Sequence, residues 1–327
     1  MEVDNKVKTE EVESVKTQKK SYSQNNKIAT ITNTDLETLQ KRQKAKEITV
    51  KTVTYVFLIF FAFITIFPFY WMIISSLKTD TEYRLVIPTF FPQEFCWGNY
   101  AEALQVEGFW RALINTLGVA VVSTLLSIVI TILAAYAFAR LKFKGRDTLF
   151  TILLMTMMIP GELFTITNYA TISTLGWKNS YQVLIVPFLV SVFYIYLLRQ
   201  NFKQIPDELY YAAKVDGASD FKYLLKVMIP LAMPSIISIT ILKMMGAWNS
   251  YIWCQLVNDD KNFWLISVWL RNSSFVSAAD RAASSTGNTN YPIQMAACVI
   301  VSTPLFLVFL FFRKYIIRGV SRSGTKG

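Results

Sequence analysis

ALINTLGVAVVSTLLSIVITILAAYAFA, residues 112–139, runs for 28 positions without a charged side chain and is bounded by Arg111 and Arg140. A helix with one face in water repeats polar residues at a period near 3.6, and this block does not. About 20 apolar helical residues cross roughly 30 Å of hydrocarbon, so the block reads as a membrane span. Similar blocks begin near residues 52, 148, 181, 229 and 293. Apolar residues make up 53% of the 327 positions. Their concentration in blocks overrides the one or two soluble domains that this length would otherwise suggest.

The expected spans are residues 52–77, 112–139, one starting near 148, 181–198, 229–248 and 293–312. Pro68 should kink the first. MIPGE, residues 158–162, interrupts the third, because Pro160 removes a helical hydrogen bond and Gly161 weakens the helix. Glu162 is then a carboxylate at or near membrane depth, either structural or part of a site. Of the 33 Lys and Arg, 25 lie in the N-terminal tail, two alternate connections and the C-terminal tail; the opposite connections hold 7, and Lys243 lies within a span. Basic residues collect on the cytoplasmic side, so both termini are expected there. Residues 1–47 read as a disordered cytoplasmic tail with a thin-faced helix at 35–46, residues 48–312 as the six-span domain, and 313–327 as a cytoplasmic tail. SSFVSAADRAASSTGNTN, residues 273–290, reads as external loop.

Several function classes drop out on composition. The net charge of +11 follows from sidedness, and no aromatic-basic groove motif points to nucleic acid. There is no histidine, and Cys96, Cys254 and Cys298 are scattered without a CxxC. No catalytic residue, metal site or cofactor is therefore expected. The first 30 residues lack the apolar core of a cleaved signal peptide.

The most informative polar connection is IPDELYYAAKVDGASDFKYLLKVMIPLAMPSI, residues 205–236. Pro206 suits the first turn of a short helix, and Asp207 and Glu208 favour its positive end. The helix should cover residues 207–215 and stop at Gly217 in a left-handed conformation. Ser219 or Asp220 should cap a second short helix running to Met228, with Pro230 opening the next span. Residues 205–229 thus form a helix-turn-helix elbow, a shape suited to a cleft on a soluble partner.

This segment resembles the cytoplasmic signature of ABC importer permeases: EAA, three residues, Gly, nine residues, Ile, one residue, Leu-Pro. Ala212, Ala213, Gly217, Val227 and Pro230 fall at the matching spacing. Ile205, Pro206, Glu208, Leu209, Asp216 and Ala218 match the form of carbohydrate-uptake permeases of the maltose type. Tyr211 replaces the signature glutamate, and Ile229 the leucine before the proline. INTLGVA (114–120), MIPGE, GAWNSYIW (246–253) and YIIRGVSRSGTKG (315–327) are similar to further stretches of that family, in the same order.

The resemblance implies an all-α membrane protein of type I importer architecture in the bacterial cell membrane. It implies a second permease subunit, two ATP-binding cassette subunits and an extracellular solute-binding protein as partners, besides membrane lipid. ATP hydrolysis belongs to the ATPase subunits, and the chain has no GxxxxGK[ST] loop. ATPase coupling is implied for Glu208, Tyr211, Ala212, Ala213, Asp216, Gly217 and Ala218. The cargo implied is a sugar or oligosaccharide, although unlike permeases often pair and the partner can be the one that holds it. Lys243, an ionisable group within a span, is a candidate for the solute path, the alternative being a lysine that snorkels or pairs structurally. Trp248 and Asn249 are further path candidates. Trp248, Tyr251 and Trp253 suit either a sugar face or an interfacial aromatic belt. The alternatives are an ABC permease for a peptide or amino acid, a self-sufficient ion-coupled transporter, and a membrane enzyme.

Overall fold

A computed structural model describes residues 42–276 and 289–321, together with Thr38. Expectations for most of the N-terminal tail, for residues 277–288 of the loop and for the last six residues lie outside the described residues. The chain divides into two units, Met1–Tyr70 and Trp71–Gly327.

The first unit holds most of helix α1, Arg42–Ser76. Its residues 42–69 are all exposed, and phenylalanine covers it on every side: Phe57 and Phe61 have ring centroids 4.5 Å apart. A helix apolar all round requires an apolar surrounding, not water. The helix begins ten residues before the expected span. Arg42 to Lys46 are helical, as the short helix expected at 35–46 implies, but the helix runs on through Glu47 into the span, and Pro68 leaves it unbroken.

In the second unit, α2 covers Asp80–Tyr83, α3 Gly98–Gln105, α4 Phe109–Arg140, α5 Arg146–Thr156 and α6 Leu163–Thr174. Then come α7 Tyr181–Ile185, a 3-10 turn Val186–Phe188, α8 Val192–Gln204 and α9 Asp207–Val215. After α10, Asp220–Tyr223, a π-helical turn Leu224–Met228 leads into α11, Ile229–Trp248. The chain closes with α12 Ile252–Val257, α13 Ile266–Asn272 and α14 Tyr291–Ser321. No strand occurs among the described residues.

Helix α4 is the axis, packed against α8 and α11; α11 also packs on α14, and α14 on α3. The buried face of α4 steps by four through Asn115, Val119, Ser123, Ser127, Thr131 and Ala135. Its other face exposes Ile114, Leu117, Leu125, Val129 and Leu133. This is the reverse of a soluble helix. Lipid gives apolar side chains no reason to face inward, so helices associate through small residues that let backbones approach.

Four helices among the described residues are long and apolar enough to span a bilayer: Arg42–Ser76, Phe109–Arg140, Asp220–Trp248 and Tyr291–Tyr315. A fifth follows if the pair Tyr181–Phe188 and Val192–Gln204, bent by 43°, counts as one. The continuous fourth span expected at 181–198 is therefore broken. Pro187 supplies no N–H, and Ser191 turns extended (φ −129°) to begin α8 anew. The expected third span is two short helices, α5 and α6. Between them the chain tightens into three-residue turns, as in Met157 N to Leu154 O at 3.0 Å and Leu163 N to Pro160 O at 3.1 Å. MIPGE does interrupt the block, so six uniform spans are not reached by length and apolarity. The end of the last span also differs: α14 continues from Phe312 to Ser321 without a break.

Candidate coupling elbow and membrane cavity

Helix α9 occupies residues 207–215, as its composition dictates, although Pro206 stands just before the helix and not in its first turn. The chain leaves α9 through Gly217 at φ +71°. The Ala218 amide donates to the Ala213 carbonyl at 2.9 Å, and the Gly217 amide to Lys214 at 3.0 Å. These two bonds close the helix end in a Schellman turn, which requires a left-handed residue. The Ser219 hydroxyl accepts from the Lys222 amide at 3.2 Å and starts the next helix. That helix is not separate. It passes through the π turn directly into α11, so the elbow's second arm is the end of a membrane helix.

A hydrogen-bonded clamp holds both ends of α9 to α4. The Arg140 side chain is 6% exposed; it donates to the Phe202 carbonyl at 2.9 Å, to the Ile205 carbonyl and to the Asp207 carboxylate. It thereby closes the carbonyl end of α8 and anchors the start of α9. At the other end, the Asp220 carboxylate accepts from Tyr136 at 3.1 Å and Tyr210 at 3.0 Å and pairs with Lys214 at 3.0 Å. That ion pair raises the Lys214 pKa. Burial, then the Asp220 bond, raises that of the Tyr210 hydroxyl. Arg199 completes the support, donating to the Phe138 carbonyl at 3.0 Å and to Asp147 at 3.2 Å.

The outward side of the elbow carries Glu208, Tyr211, Ala212, Asp216 and Gly217, all exposed, while Ala213 and Ala218 are half-buried. Tyr211 (57%), Val215 (88%) and Phe221 (62%) expose large apolar side chains between charged neighbours. A Cβ built on Gly217 meets nothing within 4 Å. The expected coupling residues thus fall together on one outward-facing elbow. Arg140, Tyr136, Tyr210 and Asp220 went unnoticed as a group. Arg140 marked the end of a span and Asp220 a cap, but nothing local in the sequence joins residues that lie up to 84 positions apart.

At the break between α7 and α8 lies a cavity of about 380 Å³. Its lining includes Ser123 of α4, Phe188, Ser191 and Tyr194 at the break, and Lys243 and Ser250. The Lys243 ammonium donates to the Phe188 carbonyl, one of the acceptors freed where the helix stops. No ion pair to Lys243 occurs among the described residues, so the structural-pair alternative lacks a partner carboxylate. The other two path candidates lie elsewhere. Trp248 is 4% exposed and belongs to a core with Phe109 and Trp269, while the exposed Asn249 amide turns back to the Met245 carbonyl. The neighbouring Ser250 lines the cavity instead. Trp253 is 7% exposed and donates to the Val183 carbonyl at 2.9 Å, so neither tryptophan forms an outward belt. Glu162 is exposed beside the α5–α6 break and does not line this cavity. No group of three or more His, Cys, Asp or Glu side chains suited to a metal occurs among the described residues.

Long apolar helices, a broken span enclosing a charged cavity and a clamped elbow at one end define a multi-pass membrane transport subunit. Residues 127–322 match the family of binding-protein-dependent transport system inner membrane components, and the chain belongs to that family. Among its relatives is an arabinooligosaccharides transport system permease protein of Halalkalibacterium halodurans, 28% identical over 82% of this chain and 94% of the relative. A polygalacturonan/rhamnogalacturonan transport system permease protein of Bacillus subtilis is 29% identical over 84% and 96%. The fold is similar to a chain of a bacterial ABC transporter that imports the acidic polysaccharide alginate. The TM-score is 0.72 at 24% identity, covering 80% of this chain and 95% of that one.

Proposed function

We propose that this chain is one half of the membrane pore of an ABC importer and moves a sugar or oligosaccharide inward by alternating access. A second, unlike permease subunit supplies the other half. Two ATPase subunits dock from the cytoplasm, the side on which we place the elbow and both termini, and a solute-binding protein delivers cargo from outside. The names of the two permease relatives support a saccharide cargo.

The observation that carries this reading is the elbow. Its exposed Tyr211, Val215 and Phe221 offer apolar area to a partner cleft. Its two ends are fixed to α4 by Arg140 and Asp220, and its second arm continues into α11. Motion of a docked ATPase therefore reaches α4 and α11 without passing through a flexible joint. Those two helices line the cavity. Rocking one against the other would open the cavity to alternate sides.

Membrane vesicles containing all four subunits, loaded with ATP and given the binding protein with radiolabelled oligosaccharide, test the reading. Uptake that requires ATP and is lost with either the binding protein or this chain is expected. Uptake driven by an ion gradient without the ATPases would contradict it.

A further inference from the structure

The cavity between α4, the α7–α8 break and α11 has an unbalanced charge. Lys243 lies five residues before the end of α11, within a span, and is half-buried. An ammonium group has three donors. One of them goes to the Phe188 carbonyl, and no other protein acceptor takes the remaining two among the described residues. No Asp or Glu lines the cavity. An ammonium removed from water without a counter-charge costs several kcal/mol as an order of magnitude, and one neutral carbonyl offsets only part of that.

The surroundings add positive potential. Helix α8 is 13 residues long and begins at Ser191 on the cavity wall, with Tyr194 in its first turn. The amide end of such a helix carries about half a positive charge. The cavity walls also carry the hydroxyls of Ser123, Ser191, Tyr194 and Ser250. The site therefore combines one full cation, a helix amide end and several hydroxyls. Its volume of about 380 Å³ suits part of a small polyhydroxylated ligand.

We infer that the cargo of this importer is anionic, a saccharide or polyol bearing a carboxylate or phosphate group, and that Lys243 is its counter-charge in the membrane cavity. The inference rests on the importer reading and adds the charge of the cargo to it. The anionic group approaches the two free ammonium donors, and its neutral hydroxyls meet the serine and tyrosine hydroxyls around them. When the pore is empty, the Phe188 carbonyl holds Lys243 inside the cavity and keeps it from extending along α11 to an aqueous surface. A lysine serving only to close the broken helix would make that same bond yet give no preference for charge.

The experiment is equilibrium binding to the purified four-subunit complex in lipid nanodiscs. The probes are tri-galacturonate, its fully methyl-esterified and therefore neutral form, glycerol 3-phosphate and glycerol. The esterified trisaccharide keeps the sugar skeleton and its hydroxyls and removes the charge, with one added methyl group per carboxylate. Binding of tri-galacturonate at least tenfold tighter than its ester assigns a carboxylate; the same margin for glycerol 3-phosphate over glycerol assigns a phosphate. In either case Lys243→Gln should reduce the margin to less than twofold, and Lys243→Arg should keep most of it. Co-purifying subunits in wild-type ratio exclude an assembly defect in both variants. No charge preference in the wild type, no detectable binding of any probe, or a preference that survives Lys243→Gln overturns the inference. A complex that takes up neutral oligosaccharides with ATP but shows no charge preference refutes only this inference. One that shows no ATP-dependent uptake of any saccharide refutes the importer reading.

Discussion

Gly217 carries one constraint from its own chain and, in the proposed importer, a second from the docked ATPase. Its φ of +71° is reached at low cost only without a side chain. Nothing in its own chain lies within 4 Å of a built Cβ, so the intrinsic penalty is backbone strain alone. Gly217→Val should destabilise the isolated subunit by about 1–2 kcal/mol. Thermal melting in detergent should therefore show a small shift, with unchanged membrane insertion. A variant that fails to insert would mean that the elbow turn is needed for assembly of the spans. Tyr211 occupies the place of a signature glutamate and is exposed, so in the proposed importer a partner contact there would be aromatic and not ionic. Tyr211→Glu should leave the subunit's own stability within about 0.5 kcal/mol, as for other exposed positions. The same melting measurement checks this.

Helix α4 shows how element-scale packing departs from soluble rules. Ser127 is 1% exposed on the face that meets neighbouring helices. Ser127→Leu inserts a branched side chain where backbones approach, and overpacking of this kind costs about 1–3 kcal/mol. A lowered melting temperature and reduced yield are expected, whereas Leu125→Ile on the exposed face should change neither. The clamp makes a second prediction. Arg140→Gln removes the charge that closes α8 and holds Asp207, so amide hydrogen exchange across α9 should quicken at least tenfold while α11 stays protected. Equal protection in the variant would show that α9 does not depend on the clamp.

The same scale separates what could be read from sequence from what could not. Helices α4, α9 and α11 and the left-handed Gly217 follow from local signals: an uncharged run, an acidic first turn, a glycine stop. The break between α7 and α8 does not. Residues 181–198 are uncharged throughout, and Pro187 alone does not distinguish a kink from a rupture. What settles it is that Lys243, 55 positions away, accommodates the freed Phe188 carbonyl. Helices α12 and α13 are not evident in the connection 249–290 between the last two spans, because they are short and take their stability from a tertiary core around Trp253 and Trp269. The placement of Trp248 failed for a related reason. A tryptophan at a span end suits an interfacial belt, yet here it packs against Ile266 and Trp269 from that same connection. The Arg140 and Asp220 clamp is invisible locally because each of its bonds to α4 joins distant parts of the chain.

At the scale of the whole molecule, the chain leaves much apolar surface exposed. Residues 42–69 of α1 are exposed on all sides, and many exposed apolar side chains of the second unit belong to a lipid or protein surrounding. The chain carries no phosphate-binding loop, so the purified subunit alone should not hydrolyse ATP above background; hydrolysis should appear only when the ATPase subunits and the second permease are added. Robust hydrolysis by this polypeptide alone would contradict the division of labour proposed above.

The central claim is that the elbow at residues 205–229 is where ATP hydrolysis is coupled to transport. The most direct measurement uses the complete reconstituted importer with Gly217→Val and, separately, Asp216→Lys. Three quantities are taken together: ATPase retained per permease, solute-stimulated hydrolysis, and solute taken up per ATP consumed. Both substitutions sit on the exposed elbow and leave the spans untouched. The account predicts normal amounts of this chain in the membrane, with at least a tenfold loss in retained ATPase or in solute moved per ATP. Wild-type docking, hydrolysis and uptake in both variants would contradict it.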